Sequence, residues 1–330
     1  MTPIDPQSGP HQHDDATLHI ILSSSPAPCS TFRGFKMPFD FDVLKGLTAT
    51  VLPIEFFQAR DGVELKFRHY ASDASLKLIM LHGSGSHSRY FADFATAIAQ
   101  SGSADVFTPD LRGHGMDPVR RGDVDYIAEP EDDIAYLIAH ICSSTPGAKV
   151  ILGGHSSGGG LAVRFSGSPH CDQVSGYLVL APFLNHDAPT TRANAGGWAM
   201  PRIPHIIFLS ILNGYCGITA LNNWVVMNFN MPEAARDGTE TLAYTHRLNE
   251  GYAPRDYELD LAAMDIAGGP LLLLMGGKDE AFVPEAFHEV VAAHAPNPGR
   301  VEILPGESHL GVVVTAAARA PATTWLLERT

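Results

Sequence analysis

The serine at position 156 stands in Gly154-His155-Ser156-Ser157-Gly158, a segment of the form Gly-x-Ser-x-Gly. A hydroxyl is a weak nucleophile unless a base takes its proton, and that base is usually oriented by an acid. Two later segments offer those groups. Asp279 lies in Gly276-Gly277-Lys278-Asp279-Glu280, and His309 lies in Gly306-Glu307-Ser308-His309-Leu310-Gly311. The order Ser…Asp…His is one of the chain orders in which this chemistry recurs. Ser156, Asp279 and His309 are therefore the expected nucleophile, orienting acid and general base. Glu280 is the rival acid. The bland readings are an N-cap serine, a turn aspartate and a surface histidine, and three loops in the right order argue against all three together.

Acyl transfer to a serine also needs hydrogen-bond donors for the oxyanion. The segment His82-Gly83-Ser84-Gly85-Ser86-His87 offers the backbone N–H of Ser84, opposite that of Ser157. The Ser84 hydroxyl is a candidate extra donor. His82 reads as a residue bracing its loop, and His155 as one packed beside the nucleophile.

These groups need a scaffold, and the apolar pattern supplies one. Leu52–Ala59 and Val63–Tyr70 alternate around Asp61-Gly62 and predict a β-hairpin. Buried strands are predicted at Leu76–Leu81, Asp105–Leu111, Val150–Leu152, Val174–Leu180, Leu271–Met275 and Val301–Leu304. Helices are predicted between them: one around Phe91, Phe94, Ala95 and Ile98, one around Ile134, Leu137, Ile138 and Ile141, and one from Ser157 to Phe165. Pro284 opens another, with Phe287, Val290 and Val291 on its inner face, and a last helix lies near the C-terminus. Apolar strands alternating with amphipathic helices mean an α/β fold, a mostly parallel sheet covered on both faces. The three candidate catalytic residues all fall at C-terminal strand ends, where such sheets place their sites.

The alternation breaks over residues 186–263, read as a mostly helical cap inserted between sheet strands. The expected division is an N-terminal extension (1–45), core (46–185), cap (186–263) and core again (264–330). Residues 1–36 are rich in Ser, Pro, His and Asp and read as a poorly ordered extension, with Met37 an alternative start. No basic n-region precedes the short apolar run Leu18 to Leu22, and no segment reaches the roughly 18–20 apolar residues of a membrane span, so the cytoplasm is the expected location.

Hydrophobic residues make up 45% of the 330 and charged residues 18%, which suits a full core. The net charge of −14 argues against nucleic acid as a partner. Cys29, Cys142, Cys171 and Cys216 show no CxxC or metal-ligand spacing and read as reduced thiols. No metal cluster and no dinucleotide fingerprint is present, so no cofactor is expected.

The segments His82–Tyr90, Asp110-Leu111-Arg112-Gly113-His114-Gly115, Gly154–Gly159 and the Asp279 and His309 loops together resemble the α/β-hydrolase superfamily. Within it they look most like the lysophospholipase and monoacylglycerol-lipase group, which shades into carboxylesterases and the serine aminopeptidase family. The resemblance covers residues 52–184 and 264–328. It implies a Ser-His-Asp serine hydrolase with an oxyanion hole and leaves the substrate open. Many relatives have Met where this chain has Ser157.

The cap carries Ile203, Ile206, Ile207, Phe208, Leu209, Ile211 and Leu212, with Trp198, Trp224 and Phe229. One reading is the cap's own core. The sharper one is an acyl or aromatic pocket using Phe208 and Trp224, with weak contact to a lipid or membrane surface. The leading expectation is hydrolysis of uncharged, fairly apolar carboxylic esters through an acyl-enzyme. A peptidase removing N-terminal residues is the alternative, with Glu233, Asp237 and Glu240 available as anchors for an amine. A non-catalytic binding protein is a third reading, against which the intact triad argues.

Overall fold

The computed structural model describes residues 39–266, 269–295 and 299–330. The predicted extension 1–36 therefore lies outside the described residues. The chain opens on a 3₁₀ turn at Phe41–Gly46 and a hairpin, β1 (Glu55–Gln58) and β2 (Glu64–Tyr70), that pairs antiparallel with Phe57 opposite Leu65. Next come β3 (Lys77–Leu81), α1 (Ala92–Gln100), β4 (Asp105–Asp110), α2 (Glu129–Cys142), β5 (Val150–His155), α3 (Ser157–Ser166) and β6 (Gly176–Leu180). After an excursion the alternation returns with β10 (Leu271–Gly276), α8 (Ala286–His294), β11 (Arg300–Leu304), the short α9 (Gly311–Val314) and α10 (Arg319–Leu327).

The sheet has eight strands in the order β1-β2-β4-β3-β5-β6-β10-β11. All pairs from β4 to β11 are parallel, and β1 and β2 are antiparallel at one edge. Strands β3, β5, β6 and β10 are buried along their whole length. This is why their sequences run apolar or small without alternation: helices cover both faces. Phe91, Phe94 and Ile98 of the α1 layer and Phe165 of α3 are each 0% exposed against that sheet.

The excursion holds α4 (Asn194–Gly197, a broken turn), β7 (Ala199–Pro201), α5 (Ile203–Cys216), β8 (Val225–Phe229), β9 (Ala243–Thr245), α6 (His246–Gly251) and α7 (Tyr257–Ile266). Helices predominate, as the sequence suggested, but β7, β8 and β9 form a three-stranded antiparallel sheet that the sequence did not announce. Helix α7 packs on α3, and its Leu261 and Met264 are buried in the main core. The structure thus assigns α7 to the core layer although the sequence division left most of it in the cap.

The expected boundary at residue 45 changes for a similar reason. Phe39, Val43, Leu44 and Leu47 pack against the main core, so the ordered body begins before residue 46. Among the described residues, no helix is long and apolar enough to cross a membrane.

Candidate active site

Ser156 sits between β5 and α3 with φ +54° and ψ −121°. A side chain at positive φ costs on the order of 1–3 kcal/mol and persists only where the surroundings impose it. Here the turn is so tight that a Cβ on Gly154 would lie 2.4 Å from the Gly158 carbonyl oxygen, and one on Gly158 would lie 2.2 Å from that of Leu81. The Gly-x-Ser-x-Gly pattern is thus a steric requirement of the turn. The Ser156 N–H donates to the Leu180 carbonyl at 3.0 Å, which pins the elbow to β6. Ser157 starts α3, so its own N–H is free of the helix ladder and lies at the positive end of the dipole.

His309 lies beyond β11, and Asp279 beyond β10. Nδ1 of His309 is 2.8 Å from Oδ2 of Asp279. The other carboxylate oxygen accepts the N–H groups of Ala281 and Phe282, both at 2.8 Å. An ionised carboxylate only accepts, so Nδ1 carries the hydrogen and Nε2 is left bare to take a proton. The rings of Phe39 and Phe282 stand edge-on to the imidazole, each 5.2 Å away. Ser156, His309 and Ser84 line one small cavity of about 30 Å³, roughly the room of one water molecule.

Ser84 and Ser157 are in contact through the side chain of the latter. The Ser84 N–H donates to Oγ of Ser157 at 3.2 Å. The Ser84 hydroxyl accepts from Nε1 of Trp198, in the cap, at 2.9 Å. This bond ties the cap to the Ser84 loop and leaves the hydroxyl hydrogen free to donate.

Glu280, the rival acid, does something else. Its Oε2 accepts the backbone N–H of His309 at 2.8 Å, and its Oε1 accepts the N–H of Asp40 at 3.1 Å. It holds the histidine's main chain and the N-terminal segment, while Asp279 holds the ring.

Buried histidines brace the site. Nε2 of His155 donates to the His309 carbonyl at 2.9 Å, and Nδ1 accepts from the Tyr90 hydroxyl at 3.0 Å. The Tyr90 oxygen in turn accepts the Gly83 N–H at 2.8 Å. This chain links the His309 loop, the elbow and the Ser84 loop through groups that are all satisfied. Burial, with the neighbouring His309, holds the His155 pKa well below its ordinary value, so the ring stays neutral. His82 donates from Nδ1 to the Gly83 carbonyl at 3.0 Å and accepts the Leu111 N–H on Nε2 at 3.0 Å, and burial lowers its pKa to about 3. Tyr244 of the cap accepts the Gly85 N–H at 3.3 Å and donates to Nε2 of His114 at 2.6 Å.

Phe208 and Trp224 are not part of this site. They are 46% and 41% exposed, stack on each other at 5.9 Å and do not line the cavity that holds Ser156. Helix α5 is apolar on every side, so its composition gave no direction, and only Leu209 is buried. The apolar residues that do line the site include Phe39, Phe41, Leu44 and Met231. The sequence signal for Phe39, Phe41 and Leu44 was the apolar spacing in 39–47, broken by Asp40 and Asp42; Met231 had none.

Among the described residues, the mostly parallel eight-stranded sheet, with helices on both faces and the elbow between β5 and α3, has the α/β-hydrolase fold. Within that class the chain resembles the monoglyceride-lipase group. A family model described as serine aminopeptidase, S33, matches residues 72–225. Protein phosphatase methylesterase 1 of Bos taurus is 31% identical over 135 residues, 38% of this chain and 35% of the relative. A monoglyceride lipase homolog of Monkeypox virus is 29% identical over 110 residues, 32% of this chain and 38% of the relative. The matches thus span little more than a third of these relatives' length. Among solved structures, a soluble variant of monoglyceride lipase from Saccharomyces cerevisiae has a TM-score of 0.66 at 15% identity, covering 86% of this chain and 97% of that one. A thermophilic esterase from Thermogutta terrifontis has a TM-score of 0.54 at 17% identity, covering 84% and 97%.

Proposed function

We propose that the chain hydrolyses carboxylic esters of uncharged, fairly apolar substrates through an acyl-enzyme on Ser156. The observation that carries this reading is the strained elbow opening on the same cavity as an imidazole oriented by a buried carboxylate. Nε2 of His309 takes the Ser156 proton as Oγ attacks the ester carbonyl. Asp279 fixes the tautomer and stabilises the imidazolium that forms. The developing oxyanion is met by the N–H groups of Ser84 and Ser157, with the Ser157 hydroxyl turning aside from the bond it now accepts. His309 then returns its proton to the leaving alkoxide, and a water activated by the same imidazole releases the acid.

A peptidase using a cap acid as its amine anchor finds less support. Asp237 pairs with Arg89 at 3.6 Å, and Oε2 of Glu240 accepts the N–H groups of Asp237 and Gly238. A second element of the proposal is weak contact with a lipid surface through the cap. Ile203, Ile207, Ile211 and Tyr215 recur every four residues on α5 and are 51%, 54%, 53% and 87% exposed.

The test is a screen of p-nitrophenyl esters beside aminoacyl anilides, on the wild type and Ser156→Ala. Ester hydrolysis that depends on Ser156, with the anilides untouched, supports the reading. Anilide cleavage alone overturns it in favour of a peptidase.

A further inference from the structure

The space beside Ser156 is small, about 30 Å³, so an acyl chain longer than a few atoms would extend into a neighbouring space. One adjoins it. A cleft of about 900 Å³ lies between the N-terminal segment from Phe39 to Val51 and the cap loop from Met231 to Glu240. Six residues line both spaces: Phe39, Phe41, Leu44, Ser86, Tyr90 and Met231. The two are therefore neighbours, with these shared side chains between them.

We infer that this cleft, walled by the N-terminal segment and not by helix α5, is the acyl-chain site of the proposed ester hydrolase. The inference rests on that proposed activity. The lining of the cleft supports a hydrocarbon chain. Leu44, Leu47, Val51, Ala92, Met231 and Pro232 give it an apolar floor. Its charged groups are of both signs: Lys45 pairs with Asp42 at 2.6 Å and Arg89 with Asp237 at 3.6 Å, while Asp40, Arg236 and Glu240 stand on its rim.

The wall is fastened from the catalytic side. Glu280 takes the Asp40 N–H with one oxygen and the His309 N–H with the other. The Asp93 carboxylate accepts the N–H groups of Thr48 and Ala49, at 3.0 and 2.6 Å from Oδ1. Phe39 and Phe41 rest on the Trp198 ring, 5.5 and 5.7 Å away. The segment is thus positioned by the same residues that position the histidine loop and the Ser84 loop. It decides how wide the passage from Ser156 is.

The experiment is a chain-length profile of kcat/KM on p-nitrophenyl esters from acetate to decanoate. In the wild type the rate constant should rise by up to about fourfold per added methylene until the cleft is full. Ala235→Trp, which fills the half-buried far wall, and Leu44→Asn, which makes the floor polar, should each flatten that rise by at least tenfold at octanoate relative to acetate. Phe208→Ser should leave the slope as it is. Thermal melts of the three variants check that each is folded. A flat wild-type profile, or a slope flattened by Phe208→Ser and kept in Ala235→Trp and Leu44→Asn, overturns the inference. So does a slope seen only when the alcohol of an alkyl acetate is lengthened. Acetate hydrolysis that disappears in Ser156→Ala keeps the ester reading alive in each of those cases. Absence of any Ser156-dependent ester hydrolysis overturns both.

Discussion

The carboxylate of Glu280 holds the main chain of His309, accepting its backbone N–H at 2.8 Å, while the preceding residue, Asp279, holds its ring. Two adjacent acids thus divide one histidine between them. The difference is measurable. Asp279→Asn should keep the geometry, present the wrong tautomer and lower kcat on the order of 10⁴-fold. Glu280→Gln keeps an acceptor for the same N–H and should lower kcat by less than tenfold, with a small fall in melting temperature. Steady-state kinetics on one short ester decides it, and the reverse ranking would move the acid by one residue.

Ser156→Ala should fold and lose ester hydrolysis by several orders of magnitude, as removal of a nucleophile does. A fluorophosphonate should label the wild type and not the variant. Ser156→Gly adds a second readout, because glycine accepts φ +54° without the side-chain penalty. Its melting temperature should equal or exceed that of the wild type. A lower one would mean that the serine side chain, and not the surrounding glycines, holds the turn.

Ser157 contributes its main chain to the proposed oxyanion hole, while its hydroxyl receives the Ser84 N–H. Ser157→Ala keeps both N–H groups and should cost less than tenfold in kcat/KM. Loss of a true donor costs on the order of 100- to 1000-fold. A loss in that range would reassign the donor from the backbone to the hydroxyl.

The buried histidines make stability depend on pH with a definite sign. His82 has a folded-state pKa of about 3, below its value of about 6.5 in an unfolded chain. The unfolded state therefore binds the extra proton. The contribution is fully present above about pH 6.5 and is lost as pH falls from there toward 3, by up to about 1.4 kcal/mol per pH unit for this one residue. His114 and His155 are lowered by burial too and act in the same direction. Urea melts between pH 8 and 4.5 should show stability falling with acid, more shallowly in His82→Asn. Parallel curves for the two proteins would rule out His82 as a contributor.

What the sequence disclosed and what it hid follow from the same physics. Strands β3, β5, β6 and β10 were legible because a strand buried on both faces must be apolar or small throughout. The elbow was legible because its glycines answer to close backbone contacts, Gly154 with Gly158 and Gly158 with Leu81 on the neighbouring strand. The cap was less so. Strands β7 and β9 have three residues each, too short for any period to register. Helix α5 shows the limit of composition. Its isoleucines look like core in a string of letters, and only coordinates tell that Ile203, Ile207 and Ile211 face outward. Phe39 and Phe41 are hard to read in the sequence because Asp40 and Asp42 alternate with them and their partners, Trp198 and His309, lie far along the chain.

The cap leaves the sheet at Leu180 and the chain rejoins it at Leu271, on strands that lie side by side with Leu274 opposite Leu180. To the sheet, everything between is one loop with neighbouring ends. The entropy of closing such a loop grows only by about 0.6 kcal/mol for each doubling of its length. Insertions there can be lengthened, shortened or exchanged while the strand pairing and the loops carrying Ser156, Asp279 and His309 keep their register. The molecule is in that sense divided between a conserved-energy chassis and a replaceable superstructure. Grafting a cap from another protein of this architecture, with α7 retained for its packing on α3, is a route to new substrate ranges that leaves the reacting atoms where they are.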